Sequence, residues 1–170
     1  MLDYFSPDYY FERFDKISVE FLKKNGIKTL LLDIDNTLAP YQQAEPDEQI
    51  LSWLNDLKDN GIGFAFISNN TSGVRVKRFN KNIGAPAYGD SCKPFASKTI
   101  ARALSELSAD VETSAFMGDQ IFTDIWAGKR CGMRTILVPP IKDLKNPFFR
   151  FKRWLEKPIL NHYFSKNSIT

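Results

Sequence analysis

Two aspartates, Asp33 and Asp35, directly follow an apolar run and are the side chains in this sequence best placed to do chemistry. The run, Thr-Leu-Leu-Leu at 29–32, has the length and character of a buried parallel strand. Ligands of open α/β sheets bind at the carboxyl ends of the strands, and two carboxylates left there without a partner are energetically costly. The pair therefore predicts a bound cation, since hard cations take oxygen ligands.

Four more polar side chains follow predicted strands or precede predicted helices: Ser68, Lys93, Asp119 and Asp124. One rim of one sheet would then gather carboxylates, a hydroxyl and an ammonium, a set that a protein core does not need. Mg²⁺ takes one or two carboxylates together with water and substrate phosphate, and a phosphoryl group in transfer needs cations and hydroxyl donors around its charge. An aspartate there can act as nucleophile, and a second acid can shuttle a proton.

The rest of the chain predicts the elements that would position this set. Strands and helices alternate, which implies right-handed crossovers and an α/β fold with a doubly wound, Rossmann-like parallel sheet flanked by helices. We expect strands at 29–34, 62–67, 85–89, 114–117 and 134–138, and helices at 46–60, 72–83, 95–107 and 121–131. Lys98 would lie inside one of these helices, so Lys93 is the better candidate for a catalytic ammonium.

A length of 170 residues predicts a single domain, 1–170, with its catalytic core over 29–140. Two cysteines, Cys92 and Cys131, without a CxxC motif indicate neither a zinc site nor a disulfide framework. No stretch approaches the roughly 20 uncharged residues of a membrane span, and the first residues lack a signal-peptide pattern. These features predict a cytoplasmic protein in a reducing environment.

The N-terminal segment, 1–28, is rich in aromatic residues. Tyr10, Phe14 and Phe21 fall at helical spacing, with charged residues between them. This pattern predicts an amphipathic helix that packs on the edge of the sheet, with a membrane or partner contact as the alternative.

The C-terminal tail, 141–170, is basic. From Lys142 onward there are seven Lys/Arg and two Asp/Glu, and aromatic residues alternate with cations. We expect one helix, or two short helices broken at Pro158. Two interpretations stay open: the tail packs its aromatics on the core, or it makes a peripheral membrane contact with anionic lipid through 146–164.

Four short motifs in this order resemble the haloacid dehalogenase (HAD) superfamily of phosphatases, over residues 30–138. They are Asp-Ile-Asp-Asn-Thr at 33–37, Phe-Ile-Ser-Asn-Asn at 66–70, Lys-Pro at 93–94, and Gly-Asp-Gln-Ile-Phe-Thr-Asp at 118–124. Each motif alone is weak evidence, but the ordered set is specific. Within the superfamily the chain is similar to the YqeG-type branch of subclass IIIA, through its Gly-Ile-Lys lead-in at 26–28, its Asp-Asn-Thr-Leu sequence and its Gly-Asp-Gln-x-x-Thr-Asp block.

The resemblance implies roles for the four aspartates. Asp33 is implied as the nucleophile and a Mg²⁺ ligand. Asp35 is implied as the general acid/base, with its backbone carbonyl on the metal. Asp119 is implied as an acidic metal ligand. Asp124 is implied as an outer residue that holds a metal-bound water or orients the lysine.

The resemblance also implies the groups that bind the substrate phosphate. Ser68 is implied as a hydroxyl donor, helped by backbone N–H groups near Asn69. Lys93 is implied as the cation that pairs with the phosphate and with Asp33. Together these residues would make the chain a Mg²⁺-dependent phosphomonoester hydrolase that forms an aspartyl phosphate.

HAD enzymes often carry a cap domain, and the two usual insertion points, after Thr37 and between Ser68 and Lys93, hold only ordinary connections here. We therefore expect no cap domain, and an open site unless the substrate or a second copy in a homo-oligomer covers it. An open site favours a phosphate displayed on something large. Relatives of the YqeG-type branch resemble phosphatidylglycerophosphate phosphatases, so we expect that lipid head group as the substrate.

Three alternatives remain at this point. A signalling receiver domain gathers similar groups, but in a different order along the chain. A phosphatase for a soluble phosphometabolite would carry the same motifs. A binding module that acts through a ribosome or nucleic-acid partner is permitted by the basic helix containing Arg75, Lys77, Arg78 and Lys81, but no nucleic-acid motif accompanies it, and a solvated helix face explains it better.

Overall fold

The computed structural model describes residues 2–70, 73–142 and 146–167, without the side chain of residue 148. The strands in this part of the chain are β1 (Tyr9–Tyr10), β2 (Thr29–Leu32), β3 (Gly63–Ile67), β4 (Ala87–Tyr88), β5 (Ser114–Gly118) and β6 (Arg134–Leu137). They form one parallel sheet in the order β1-β6-β5-β2-β3-β4. The predicted α/β fold is confirmed.

Helices cover both faces of this sheet. They are α1 (Leu2–Phe5), α2 (Val19–Lys24), α3 (Glu48–Asp59), α4 (Val74–Asn80), α5 (Ser97–Glu106), α6 (Trp126–Arg130) and α7 (Pro147–Asn167). Side chains alternate across a strand, so Leu30 and Leu32 of β2 join the core under α2, α3 and α4, whereas Leu31 joins the core under α5 and α6. All three leucines are fully buried, which explains the uninterrupted apolar run.

The central strand β2 brings the motif residues to one rim. It lies between β3 and β5, and Leu32 is level with Phe66 of β3 and Met117 of β5. Because all three strands are parallel and in matched register, the residues that follow them leave the sheet at the same edge. Asp33, Ser68 and Asp119 therefore all lie at that edge.

The helix predicted within 1–28 is wrong. That segment forms α1, the edge strand β1, a 3₁₀ turn at Phe14–Lys16, and α2. The N–H of Asp8 donates to the carbonyl of Thr135 at 3.1 Å, which begins the pairing of β1 with β6. The hydroxyl of Ser18 accepts a backbone N–H and starts α2. The pairing of β1 with the edge of the sheet and the start of a separate helix at Ser18 outweigh the helical spacing of the aromatic residues.

Two other predicted helices differ from the structure at their boundaries. The segment predicted as a helix from 121 to 131 begins with a π-helical turn, Ile121–Ile125, before α6. The first residue of the helix predicted at 72–83 lies outside the described residues, and α4 covers only its middle.

In the described part of the tail, α7 is a single helix that continues through Pro158. The connections at the two usual cap positions contain α3 in one case, and α4 and β4 in the other. Within the described ranges, no helix has both the length and the hydropathy to cross a membrane.

Candidate active site

Asp33 stands at the centre of the rim. Its carboxylate accepts a hydrogen bond from Lys93 Nζ at 2.5 Å on one oxygen, and from the Thr37 hydroxyl at 2.8 Å on the other. Both partners are buried, as is Asp33 itself. The tight turn after β2 returns Thr37 to the carboxylate, so this short motif positions both the acid and one of its donors.

Three buried carboxylates lie close together, and two of them contact a single ammonium. Oxygens of Asp33, Asp119 and Asp124 lie within 4.8 Å of one another. Lys93 Nζ also contacts Asp124 Oδ1 at 2.6 Å, so it bridges two of the three acids. Burial and the neighbouring carboxylates raise the pKa of Asp33 to about 8 and the pKa of Asp119 to about 7.

The charge balance of this acid cluster (Asp33, Asp119 and Asp124) fits a divalent cation. Burial lowers the pKa of Lys93, but the carboxylates of Asp124 and Asp33 outweigh it and raise that pKa above its usual value. The ion pairs show the same imbalance directly, because Lys93 is shared by Asp33 and Asp124, and Arg153 is shared by Asp119 and Glu156. Hard carboxylate oxygens at this spacing are the donor set that Mg²⁺ or a similar ion takes.

Asp124 enters the cluster because of the π-helical turn and a glycine. Its second oxygen accepts the N–H of Gln120 at 3.1 Å. A Cβ at Gly118 would lie 2.3 Å from the Cβ of Asp124, so only glycine allows this approach. The contact of Asp124 with Lys93 is the geometry needed to orient the lysine, which is one of the two roles that the resemblance implies. The resemblance did not imply that Asp124 would also lie next to the carboxylates of Asp33 and Asp119.

Asp35 faces away from the acid cluster. Its carboxylate accepts from the Ser68 hydroxyl at 3.2 Å and forms an ion pair with Arg75 Nε. Arg75 also donates to the carbonyls of Gln43 at 2.6 Å and Pro40 at 3.0 Å. The guanidinium therefore ties the second aspartate to the loop that follows it.

Sequence reasoning did not single out Arg75 as part of the site. It is one of four cations on or beside α4, and nothing in its type or spacing separates it from Lys77, Arg78 or Lys81. The fold does so, because Arg75 is half-buried whereas the other three are exposed.

The two remaining predicted residues, Ser68 and Asn69, organise the loops of the rim. Ser68 Oγ accepts the N–H of Asn70 at 3.0 Å while its hydroxyl donates to Asp35. The amide of Asn69 accepts the N–H of Lys93 at 2.7 Å and donates to its carbonyl at 3.1 Å. The Asn69 side chain thus holds the loop that contains Lys93. This leaves only backbone N–H groups near Asn69 for the predicted contact with the substrate phosphate.

The C-terminal helix contributes two residues that sequence reasoning also did not single out. Arg153 donates to the carbonyl of Asp119 at 2.5 Å and pairs with the Asp119 carboxylate. It also donates to Glu156 at 2.8 Å, and the buried Glu156 accepts the N–H of Ile121 at 2.9 Å. The sequence did offer one signal: Glu156 is one of two acids in a basic tail, counted from residue 142 onward.

A cavity of about 930 Å³ opens beside Asp119. Asn36 and Tyr41 line it from the rim, and α7 forms its other wall. Asn36 has φ of 67°, which asparagine tolerates, and its amide exchanges hydrogen bonds with the backbone of Lys142 at 2.8 and 2.9 Å. These bonds hold the loop after β6 against the first motif. Helix α7 therefore covers one side of a site that we expected to be open in the absence of a cap domain.

Comparison with known proteins places this arrangement in a family. The family model described as mitochondrial PGP phosphatase matches residues 3–142, which include every predicted site residue. The chain belongs to that family. It is also 32% identical over 158 residues to the "Probable phosphatase YqeG" of Bacillus subtilis (strain 168), across 93% of this chain and 91% of that protein. The predicted resemblance is confirmed, and the chain is a phosphatase.

A plant member offers a more distant comparison. The chain is 28% identical over 161 residues to "Phosphatidylglycerophosphate phosphatase 1, chloroplastic/mitochondrial" of Arabidopsis thaliana. The match covers 88% of this chain and 45% of the plant protein, so the chain spans less than half the length of that relative.

Two solved structures share the fold. One is an uncharacterized protein from Listeria monocytogenes serotype 4b, with a TM-score of 0.53, 17% identity, and coverage of 71% of this chain and 85% of that chain. The other is an uncharacterized protein from Corynebacterium glutamicum ATCC 13032 Kitasato, with a TM-score of 0.50, 14% identity, and coverage of 78% and 95%. At these identities the likeness concerns the fold alone.

Proposed function

We propose that this phosphatase is a HAD-type, Mg²⁺-dependent phosphomonoester hydrolase in which Asp33 is the nucleophile. The observation that carries the proposal is the buried acid cluster of Asp33, Asp119 and Asp124 around Lys93. Lys93 is shared by Asp33 and Asp124, and Arg153 is shared by Asp119 and Glu156, so the site is still short of positive charge, which a divalent cation would supply.

The first step divides the labour between the two aspartates of the first motif. Asp33 attacks phosphorus, the bond from phosphorus to the leaving oxygen breaks, and the carboxylic acid of Asp35 gives that oxygen a proton. Ser68 and Arg75 contact Asp35 in the absence of substrate. A substrate phosphate attracts the Ser68 hydroxyl, whereas Arg75 continues to hold the Asp35 side chain in place.

The second step reverses these roles. Water attacks the phosphorus of the aspartyl phosphate, Asp35 takes the proton, and inorganic phosphate leaves with Asp33 regenerated. Lys93 and Thr37 orient the Asp33 carboxylate through both steps, since each already donates to one of its oxygens.

The residues present fit Mg²⁺. Asp33 and Asp119 would hold it together with the backbone carbonyl of Asp35, and Asp124 would orient Lys93 beside them. When bound, Mg²⁺ neutralises charge on the phosphoryl oxygens.

The proposed substrate is the phosphomonoester of phosphatidylglycerophosphate. The family description and the name of the plant relative support this choice. The surface of α7 supports it too, since Phe151 is 56% exposed and Trp154 is 62% exposed beside the cations of the same helix. Aromatic residues among cations suit a peripheral contact with anionic lipid through 146–164.

A direct assay tests the proposal. Purified protein is incubated with phosphatidylglycerophosphate in mixed micelles of neutral detergent, with Mg²⁺ or with a chelator, and phosphate release is measured. We expect turnover only with Mg²⁺. Wild-type protein that is quenched with acid during turnover of a ³²P-labelled phosphomonoester should carry the label. Hydroxylamine should remove this label, because it cleaves acyl phosphates. Turnover by Asp33→Asn would exclude the covalent mechanism. Hydrolysis of other phosphomonoesters, but not of phosphatidylglycerophosphate, would exclude the proposed substrate.

A further inference from the structure

The cavity beside the acid cluster holds more positive charge than its carboxylates balance. Among the described residues, four cations line it, Lys142, Arg150, Arg153 and Lys157, and one carboxylate, that of Asp119. Arg153 is already paired with Asp119 and Glu156. The other three form no ion pair with any acid in the described part of the chain, so this wall carries an excess of three positive charges.

The unpaired cations come from two elements. Arg150 and Lys157 are seven residues apart on α7, which places them on one side of the helix about 10 Å apart along its axis. Lys142 lies in the loop after β6, whose backbone is bonded to Asn36 of the first motif. The cations thus line the route past Asp119 rather than the acid cluster itself.

Aromatic side chains stand among these cations. Phe149, Phe151 and Trp154 also line the cavity, and the rings of Phe151 and Trp154 stack at 6.0 Å. Both of these rings are mostly exposed, so the core does not need them. A cavity wall with unpaired cations and exposed aromatics suits a ligand that has an anionic group next to an apolar part.

We propose that this wall is a second anion subsite, formed by Arg150, Lys157 and Lys142, that binds a phosphodiester on the substrate while the phosphomonoester reaches Asp33. The proposal rests on the proposed function, and it adds that the enzyme selects substrates by a second phosphate. The site that no cap covers then takes its specificity from α7. A glycerol phosphodiester has the same chemistry in a lipid and in a free head group, so the test includes both.

The experiment compares substrates within one variant. The probes are glycerol 3-phosphate, which has a phosphomonoester on glycerol and no diester, and the deacylated head group glycerophosphoglycerol phosphate, which has both. The full lipid in micelles of neutral detergent is the third probe. The variant is Arg150→Gln/Lys157→Gln, and the matched control is Lys24→Gln/Lys28→Gln, two exposed lysines at the opposite end of β2 that remove the same charge.

We expect the α7 variant to lower kcat/KM for the two diester-bearing probes about tenfold relative to glycerol 3-phosphate, chiefly through KM. The control should leave that ratio at the wild-type value. Loss of folded protein lowers all rates by one factor and does not change the ratio, so misfolding does not imitate the result.

Three outcomes would overturn the inference. If kcat/KM of the α7 variant falls equally for all three probes, or does not fall for any of them, the cations do not recognise the diester. A loss with the micellar lipid but not with the free head group shows that they respond to the micelle surface. Wild-type protein that hydrolyses none of the probes refutes the proposed function itself, and the inference with it, and this result is distinct from the other two.

Discussion

Two groups of charged residues lie on either side of Asp119, which lines the cavity, and they are built in different ways. The acid cluster and Lys93 are buried beside the ends of neighbouring parallel strands, and Lys93 contacts Asp33 and Asp124 at 2.5 and 2.6 Å. The cations of α7 are largely exposed and reach the cavity because one helix docks on the rim through Arg153 and Glu156. Buried charge depends on its partners and is sensitive to any loss, whereas exposed charge is screened and free to meet a ligand.

The largest expected effect is the loss of the buried ammonium. Lys93→Gln leaves the buried carboxylates of Asp33 and Asp124 without their cation, which should lower the free energy of unfolding by about 3 kcal/mol in chelator. Mg²⁺ should restore part of this loss in the same thermal unfolding measurement. Lys98→Gln is the matched control, since Lys98 is exposed on α5 and its removal should change stability by less than about 0.5 kcal/mol. Equal stability of the two variants would contradict the importance that we assign to the cluster.

The next effect is the release of α7. Glu156→Ala removes a buried acceptor from the N–H of Ile121 and an ion-pair partner from Arg153, which should cost about 2–3 kcal/mol of stability. Hydrogen exchange should show loss of protection in α7 while β2 and β5 remain protected. Glu106→Ala, which breaks an exposed pair with Arg102, should cost less than about 0.5 kcal/mol. Uniform loss of protection would mean that α7 and the sheet unfold together.

A smaller effect should appear in catalysis when Arg75 is shortened. Lysine keeps the charge but cannot make the three contacts of the guanidinium with Asp35, Gln43 and Pro40. Arg75→Lys should lower kcat about tenfold, which is about 1.4 kcal/mol, with a smaller change in KM. Arg78→Lys, exposed on the same helix, should have wild-type kinetics. A change confined to KM would show that Arg75 binds substrate rather than positioning Asp35.

The smallest effect concerns the far end of α7. His162 and Lys166 lower the pKa of the exposed Asp3 from 3.8 to about 2. Because the folded-state pKa is depressed, the contribution of this group is present above about pH 4 and is lost as the pH falls toward 2. Asp3→Asn should therefore lower the Tm slightly at pH 7, and the difference from wild type should shrink between pH 4 and pH 2. A difference that stays constant would place the effect outside this ion pair.

The strand ends show how far sequence patterns reach. β2, β3 and β5 were predictable because each is a short apolar run followed by a polar motif, and parallel strands deliver those motifs to one rim. The predicted residues Asp33, Lys93, Asp119 and Asp124 therefore meet, and Ser68 lies on the same rim in contact with Asp35. The edge strand β1 was not predictable, since Tyr9 and Tyr10 are set by the free edge of β6, which is more than 120 residues away in the chain.

The sequence by itself determined the chemistry of this protein: ordered acids, a hydroxyl and a lysine after buried strands, which suffice for the fold class and the phosphatase family. Only the tertiary structure decided what surrounds them. It selected Arg75 from four similar cations, and it placed Arg153 and Glu156 of α7 against Asp119. The physical reason is range: local patterns specify strands and turns, whereas contacts between a rim and a helix over 30 residues away in the chain depend on packing that no local pattern encodes.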